Sequence, residues 1–131
     1  MDPHEKLQEL PHHHGEEPLD NVLEELFEPR DFSAVAEVFR QLGDPTRVQI
    51  FWLLCHREEC VINLAAMLGK SSPAIAHHLR SLRDSGLLVS RHEGKEVFYR
   101  AAKNETGRLL HHMIEQVMEI NCPEKPDGED A

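Results

Sequence analysis

The sequence lacks any apolar run near the roughly 18 residues that a membrane-spanning helix requires. Its first residues also lack the apolar stretch behind basic residues that marks a secretory signal. The three cysteines, Cys55, Cys60 and Cys122, are an odd number and too few for a disulfide framework. We therefore expect reduced thiols in a cytoplasmic protein that does not contact a membrane.

Enzyme motifs are missing as well. The sequence has no Ser/His/Asp set, and no Gly-rich loop follows a predicted strand in the position that would bind a phosphate. Its carboxylates are concentrated in the terminal segments. These absences indicate that the chain is not an enzyme.

Charge is distributed unevenly along the chain. The net charge is -10, yet residues 1–31 hold ten acidic residues against Lys6 and Arg30. Bases prevail over residues 70–100, where Lys70, Arg80, Arg83, Arg91, Lys95 and Arg100 face only Asp84, Glu93 and Glu96. A basic segment of this kind is typical of a DNA-reading element with salt-sensitive binding, although a solvated basic face has the same composition.

One stretch, residues 70–86, predicts a short helix with an exposed basic face. Ser72 is placed to cap it, Pro73 fits its first turn, and Gly86 is placed to end it. A narrow apolar stripe at i, i+4 and i+7 comprises Ile75, Leu79 and Leu82. Donor-rich side chains are left on the other faces.

The neighbouring segments complete a winged helix-turn-helix. Residues 60–69 predict the preceding helix, which Gly69 ends. Two strands flank a tight turn at residues 93–95. Upstream, Asp44 and Pro45 predict the start of a nearly apolar, central helix that ends near residues 55–57. The expected fold class is mainly α with a small β-hairpin.

The first and last predicted helices carry more apolar surface than one small core needs. Apolar residues between 23 and 42 indicate one or two amphipathic helices broken at Pro29, and Asn104 is placed to cap a helix from Glu105 to about Ile120. This surplus predicts a homodimer joined through those helices. We expect a flexible acidic and His-containing arm over 1–20, a DNA-binding and dimerisation domain over 21–121, and an acidic tail over 122–131.

Four segments together resemble the ArsR/SmtB family of bacterial metal- and thiol-responsive repressors. They are Leu42–Arg47, Glu59–Leu64, Ser72–Arg83 and Gly94–Arg100. The resemblance implies a homodimer joined by its first and last helices, repression of a nearby operon, and release from operator DNA when an inducer binds.

The family's recognition helix often carries Ser-x-x-Ser-His, and the aligned residues here are Pro73, Ala76 and His77. Because both hydroxyls are missing, we expect the base-facing residues to be Ser71, Ser72, Ala76, His77 and His78. The expected phosphate contacts are Arg80, Arg83, Arg91 and Lys95. Dimer symmetry predicts that the double-stranded operator is an inverted repeat.

The family's soft-metal motif, Cys-Val-Cys-Asp, aligns with residues 60–63, where only Cys60 remains as a thiol. A single buried cysteine often serves packing alone. A mixed site would need further donors, which are His12, His13 or His14 of the partner subunit and Cys55 or His56 nearby. Such sulfur and nitrogen ligands suit Zn(II), Ni(II) or Co(II).

A second candidate metal site lies on the last helix. The family's ligand positions there align with Lys103, Glu105, Gln116 and Glu119, of which only the two glutamates can bind a metal. A displaced set one turn earlier comprises His111, His112, Glu115 and Glu119, with Glu105 as a further ligand. Imidazole and carboxylate ligands favour Zn(II), Ni(II) or Co(II). A polar helix face beside a dimer interface is the alternative interpretation.

These patterns predict a dimeric, DNA-binding transcriptional repressor that a divalent metal ion releases from its operator. One alternative is a redox-responsive repressor in which Cys55 and Cys60 form a disulfide or persulfide. The other is a winged-helix protein-interaction module without an inducer.

Overall fold

The part of the chain that a computed structural model describes, residues 11, 12, 14 and 28–122, contains five helices and three short strands. The helices are α1 (Pro29–Gln41), α2 (Pro45–His56), α3 (Val61–Leu68), α4 (Ser72–Asp84) and α5 (Glu105–Asn121). The strands are β1 (Glu59–Cys60), β2 (Leu88–Glu93) and β3 (Glu96–Ala101). The chain divides into two units, residues 1–36 and 37–131, and the core and the sheet lie within the second.

Helix α2 begins where the sequence predicts it. The Asp44 carboxylate accepts a hydrogen bond from the Arg47 amide at 2.9 Å, and Pro45 occupies the first turn. Ile50 and Phe51 are fully buried in the core. Helix α2 contacts α4, α5 and β3, which confirms that it is central.

Helices α3 and α4 pack against each other as a helix-turn-helix. Gly69 ends α3 with φ of +64°, in the left-handed region that favours glycine. The cap of α4 is Ser71 and not Ser72, since Ser71 Oγ accepts from the Ala74 amide at 3.3 Å and Ser72 is already the first helical residue. The predicted apolar stripe is confirmed, since Ile75, Leu79 and Leu82 are fully buried.

The predicted hairpin is confirmed, and a third strand extends it. Strands β2 and β3 pair antiparallel from Leu88 opposite Ala101 to Glu93 opposite Glu96. Strand β1 pairs with the outer edge of β3, which gives the sheet order β1-β3-β2. Two residues are too few to show a strand period, so the sequence did not predict β1.

Helix α5 exposes most of its apolar residues. Its cap is Asn104, whose Oδ1 accepts from the Gly107 amide at 2.8 Å. Leu110 is buried, whereas Leu109 is 57% and Ile120 is 75% exposed. This exposure is consistent with the predicted dimer face. Among the described residues, no helix is both long enough and apolar enough to cross a membrane.

The predicted terminal segments lie largely outside the described residues. Of the predicted arm over 1–20, the structure describes only residues 11, 12 and 14, and of the tail over 122–131 only Cys122. The part of the first predicted helix before residue 28 also lies outside the described residues, and α1 starts at Pro29 itself.

Gly107→Ala should destabilise the protein, because a Cβ built at Gly107 would collide with the Ala102 carbonyl oxygen. Backbone cannot give way as a side-chain end can, so we expect a loss of about 1–3 kcal/mol in the free energy of unfolding. Thr106→Ala, at the exposed neighbouring position, is the matched control. Urea denaturation measures both variants, and an unchanged Gly107→Ala midpoint would contradict the close approach.

Candidate functional site

The outer face of α4 presents the predicted base-facing residues unevenly. Ser71, Ser72 and His77 are exposed, whereas Ala76 and His78 are half-buried. The predicted phosphate-contacting residues on this helix, Arg80 and Arg83, are exposed as well.

A partly buried polar network connects α1 to α4, and the sequence did not predict it. Gln41 at the end of α1 is fully buried, and its Nε2 donates to Ser81 Oγ on α4 at 2.8 Å. Ser85 Oγ donates to Glu37 Oε1 at 3.0 Å. Hydrogen bonds from Arg40, Gln41 and Ser85 lower the pKa of the Glu37 carboxyl to about 2. The network ties the end of α1 to Ser81 in the last turn of α4 and to Ser85 directly after that helix.

Arg47 links α2 to the same region. Its Nε donates to the Gln41 carbonyl oxygen at 2.8 Å, and its Nη1 lies 3.5 Å from His78 Nδ1. Partial burial lowers the pKa of His78, and the charges of Arg47, His77 and Lys70 act in the same direction against Asp44. His78 therefore stays mainly neutral at pH 7 and faces the protein more than His77 does.

The two predicted phosphate contacts in the hairpin differ in their surroundings. Arg91 binds Glu58 at 2.6 Å and Glu93 at 2.7 Å, and its guanidinium lies 4.7 Å from the centre of the Phe98 ring. Lys95 is exposed at the turn and makes no ion pair with any described residue. Arg91 thus carries a charge that two carboxylates already offset.

A cluster of three side chains that carry possible metal ligands lies between α2 and α5. His111 Nε2 lies 3.1 Å from His56 Nε2 and 3.5 Å from Glu115 Oε2. His56 Nε2 and Glu115 Oε2 are 3.8 Å apart. Trp52 Nε1 donates to the same Glu115 oxygen at 3.2 Å. We call His56, His111 and Glu115 the α2–α5 cluster.

The cluster includes part of the predicted last-helix site. His111 and Glu115 belong to it, while His112, Glu119 and Glu105 are exposed and lie outside it. Its third member, His56, was expected only as a companion of Cys60. No pattern along the chain links His56 to a residue 55 positions away.

The alternative set around Cys60 needs histidines of the partner subunit and stays a prediction; within the described residues of one chain, Cys60 belongs to no group of three metal-ligating side chains. Cys60 pairs with Phe98 in the sheet, and Cys55 lies half-buried on α2. His13 lies outside the described residues, and the rings of His12 and His14 are 6.2 Å apart within the first unit. Burial, followed by the nearby Glu115 carboxylate, raises the pKa of the Cys55 thiol to about 11.

Comparison with known proteins identifies the family. Residues 44–90 match the family described as "Bacterial regulatory protein, arsR family". Arsenic resistance transcriptional regulator ArsR2 of Pseudomonas putida is 35% identical over 86 residues, which are 65% of this chain and 74% of that protein. The chain belongs to the ArsR family. The resemblance seen in the sequence is confirmed.

Two further relatives of this ArsR-family chain match over a smaller share of their own length. HTH-type transcriptional regulator KmtR of Mycobacterium tuberculosis is 42% identical over 76 residues, 58% of each chain. The transcriptional repressor SmtB homolog of Synechocystis is 35% identical over 85 residues, which are 65% of this chain and 64% of that protein. All three relatives are named as regulators, in agreement with the prediction that the chain is not an enzyme.

Solved structures confirm the winged helix-turn-helix fold. The homodimeric winged helix-turn-helix DNA-binding domain from Mycobacterium bovis aligns with a TM-score of 0.62 at 26% identity, over 83% of this chain and 93% of that chain. HlyU from Vibrio cholerae aligns with a TM-score of 0.61 at 27% identity, over 72% and 99%. The ArsR-family chain is mainly helical with a small antiparallel sheet.

The hydrogen bonds to the Glu37 carboxylate should make the free energy of unfolding of this ArsR-family protein depend on pH in the acidic range. Because the folded-state pKa of Glu37 is about 2 and its ordinary value is 4.5, its contribution is complete above 4.5 and is lost as the pH falls toward 2. Glu37→Gln should lower the free energy of unfolding at pH 7 and flatten its dependence over that interval.

Denaturant unfolding at a series of pH values measures this effect. Glu119→Gln, which removes an exposed carboxylate on α5, is the control and should keep the wild-type slope. A Glu37→Gln profile parallel to wild type would show that the network does not hold Glu37 ionised.

Proposed function

We propose that this ArsR-family chain is a homodimeric transcriptional repressor that binds double-stranded DNA and releases it when a divalent metal ion binds. The observation that carries the DNA-binding part is the exposed, donor-rich face of α4. Its base-facing and phosphate-facing side chains point away from a helix that is anchored by buried Leu79 and by the Gln41–Ser81 hydrogen bonds. A rigid support of this kind holds a recognition helix in register with base edges.

His77 and the two serines at the start of α4 are the proposed base-reading residues. His77 and Ser72 are exposed, and their polar atoms can donate to or accept from base edges. Half-buried Ala76 supplies an apolar contact to a thymine methyl group. His78 has a lesser part, because its Nδ1 faces Arg47.

A second copy of this chain is the proposed partner of the α1–α5 face. A groove of about 280 Å³ runs between α1, α2 and α5, and its lining includes Phe39, Leu110, Met113 and Val117. Phe39 and Val117 are more than half exposed, which is costly for large apolar groups in water. A structural neighbour described as homodimeric shares this fold. The dimer would place two α4 helices on the two halves of an inverted repeat.

The proposed inducer is Zn(II), Ni(II) or Co(II), because the donors gathered at the last helix are imidazole and carboxylate groups. The thiol alternative has less support, since Cys55 is half-buried on α2, where burial raises the pKa of its thiol, and Cys60 pairs with Phe98 in the sheet. We further propose that residues 21–121 form the functional domain, with 1–20 as an arm and 122–131 as a tail, and that the repressor acts in the cytoplasm.

The salt dependence of DNA binding tests whether the β2–β3 hairpin contacts phosphates. Lys95→Ala should reduce the slope of log K against log salt by about 1.8, because each protomer of the dimer loses one phosphate contact worth about 0.9. Arg91→Ala should reduce it by less, since Glu58 and Glu93 already offset its charge. Lys103→Ala, exposed before α5, is the control.

Fluorescence anisotropy with a duplex selected from a random library measures these slopes. A wild-type slope near zero, or an effect of Lys103→Ala as large as that of Lys95→Ala, would show that the hairpin does not contact DNA.

Metal titration tests the inducer. Adding Zn(II), Ni(II) or Co(II) to the preformed DNA complex should weaken binding roughly 5- to 150-fold, the range of ordinary allosteric coupling. A chelator should restore binding, and Mg(II) at the same concentration should have no effect, because it prefers all-oxygen ligands. If none of the three metals weakens DNA binding, the proposal that a divalent ion releases the repressor is wrong.

A further inference from the structure

The α2–α5 cluster takes its ligands from two helices, α2 and α5, of which α2 also packs against α4 and β3. His56 lies in the last turn of α2, whose Ile50, Phe51 and Leu54 are buried in the core. His111 and Glu115 are one turn apart on α5. The three donor atoms lie within 4.8 Å of one another without any residue from a second chain.

The spacing of these atoms fits a single ion. Two ligands of one tetrahedral zinc ion lie about 3.3 Å apart when each bond is about 2.0–2.1 Å long. The observed separations between His111 and His56, His111 and Glu115, and His56 and Glu115 are 3.1, 3.5 and 3.8 Å. Shifts of a few tenths of an ångström would bring all three to an ion.

From this geometry we propose that His56, His111 and Glu115 form a divalent-metal site within one protomer, bridging α2 and α5. Two imidazoles and one carboxylate are a donor set that holds Zn(II) with a fourth position left to water. The site deepens the proposed function, on which it rests only for its effect on DNA.

Trp52 fixes the carboxylate ligand. Its indole N–H donates to Glu115 Oε2, and its ring lies 4.5 Å from that of His56. A hydrogen bond from a neighbouring group orients a metal-binding carboxylate in many metal sites. Because Trp52 is the single tryptophan of the chain, its fluorescence reports on the site.

The open side of the site faces a cavity of about 550 Å³ that His56 and His111 help to line. This cavity gives solvent access to a fourth ligand. Its other charged lining residues are four cations and one carboxylate, so their net positive charge opposes a cation: Arg57, Arg100, Lys103, Arg108 and Glu58. The negative charge of Glu115 is therefore needed to offset them, so replacing Glu115 should weaken binding strongly.

Because the proposed site bridges α2 and α5, a bound ion can influence α4, the helix that faces DNA. Helix α2 packs against both α4 and α5, so an ion that fixes His56 to α5 constrains the element on which α4 rests. An ion that favours one arrangement of α2 and α5 would shift the DNA-binding equilibrium by its differential affinity.

Zinc affinity of the full chain, measured by competition with a chromophoric chelator in the absence of DNA, tests the site. Wild-type protein should bind one zinc ion per protomer with a change in Trp52 fluorescence. His56→Ala and Glu115→Gln should each lower the affinity by roughly tenfold or more. His112→Ala is the matched control beside His111 and should bind like wild type.

Circular dichroism checks that both variants fold. If His56→Ala does not fold, Glu115→Gln still tests the site, because glutamine has nearly the same shape as glutamate. The proposed site would be wrong if zinc affinity were unchanged in both variants. It would also be wrong if the protein bound one zinc ion per two protomers and His112→Ala abolished that binding. Cys60→Ser should leave zinc affinity unchanged, and a loss there would instead assign the metal to the thiol. If zinc binds as proposed but does not change the affinity for operator DNA, the metal site is supported and the proposed release of DNA by metal is wrong.

Discussion

The burial of α2 is the constraint on which the rest of the structure depends. Ile50 and Phe51 are fully buried, and burying side chains of this size contributes about 1.5–3 kcal/mol each. On one side α2 supports α4 and β3, and on another it meets α5. The proposed DNA-facing surface and the α2–α5 cluster therefore share one rigid element, although they are formed by different parts of the chain.

Much of the fold could be predicted because its signals are local. Asp44 and Pro45 start α2, Gly69 ends α3, and the turn at Gly94 sets the hairpin register. Strand β1 could not be predicted, since its two residues become a strand only by pairing with β3. The fully buried Gln41 was missed for a similar reason, because its partner Ser81 is 40 residues away.

The candidate sites show the same division. Helical spacing alone placed His111 and Glu115 together, but the third member of the cluster comes from α2 and required the folded chain. Counting charges along the sequence gave Arg91 the same role as Lys95. The structure sets Arg91 apart, because Glu58, 33 residues earlier, binds it. Local patterns thus identify side chains on one element, while long-range packing decides which of them act together.

We propose that metal binding and DNA binding oppose each other through α2. Linkage requires the two effects to be reciprocal, so the most direct measurement is the zinc affinity of the free dimer and of the dimer saturated with operator DNA. We predict weaker zinc binding in the complex, by the same factor with which zinc weakens operator binding. Equal zinc affinities in the two states would contradict the account.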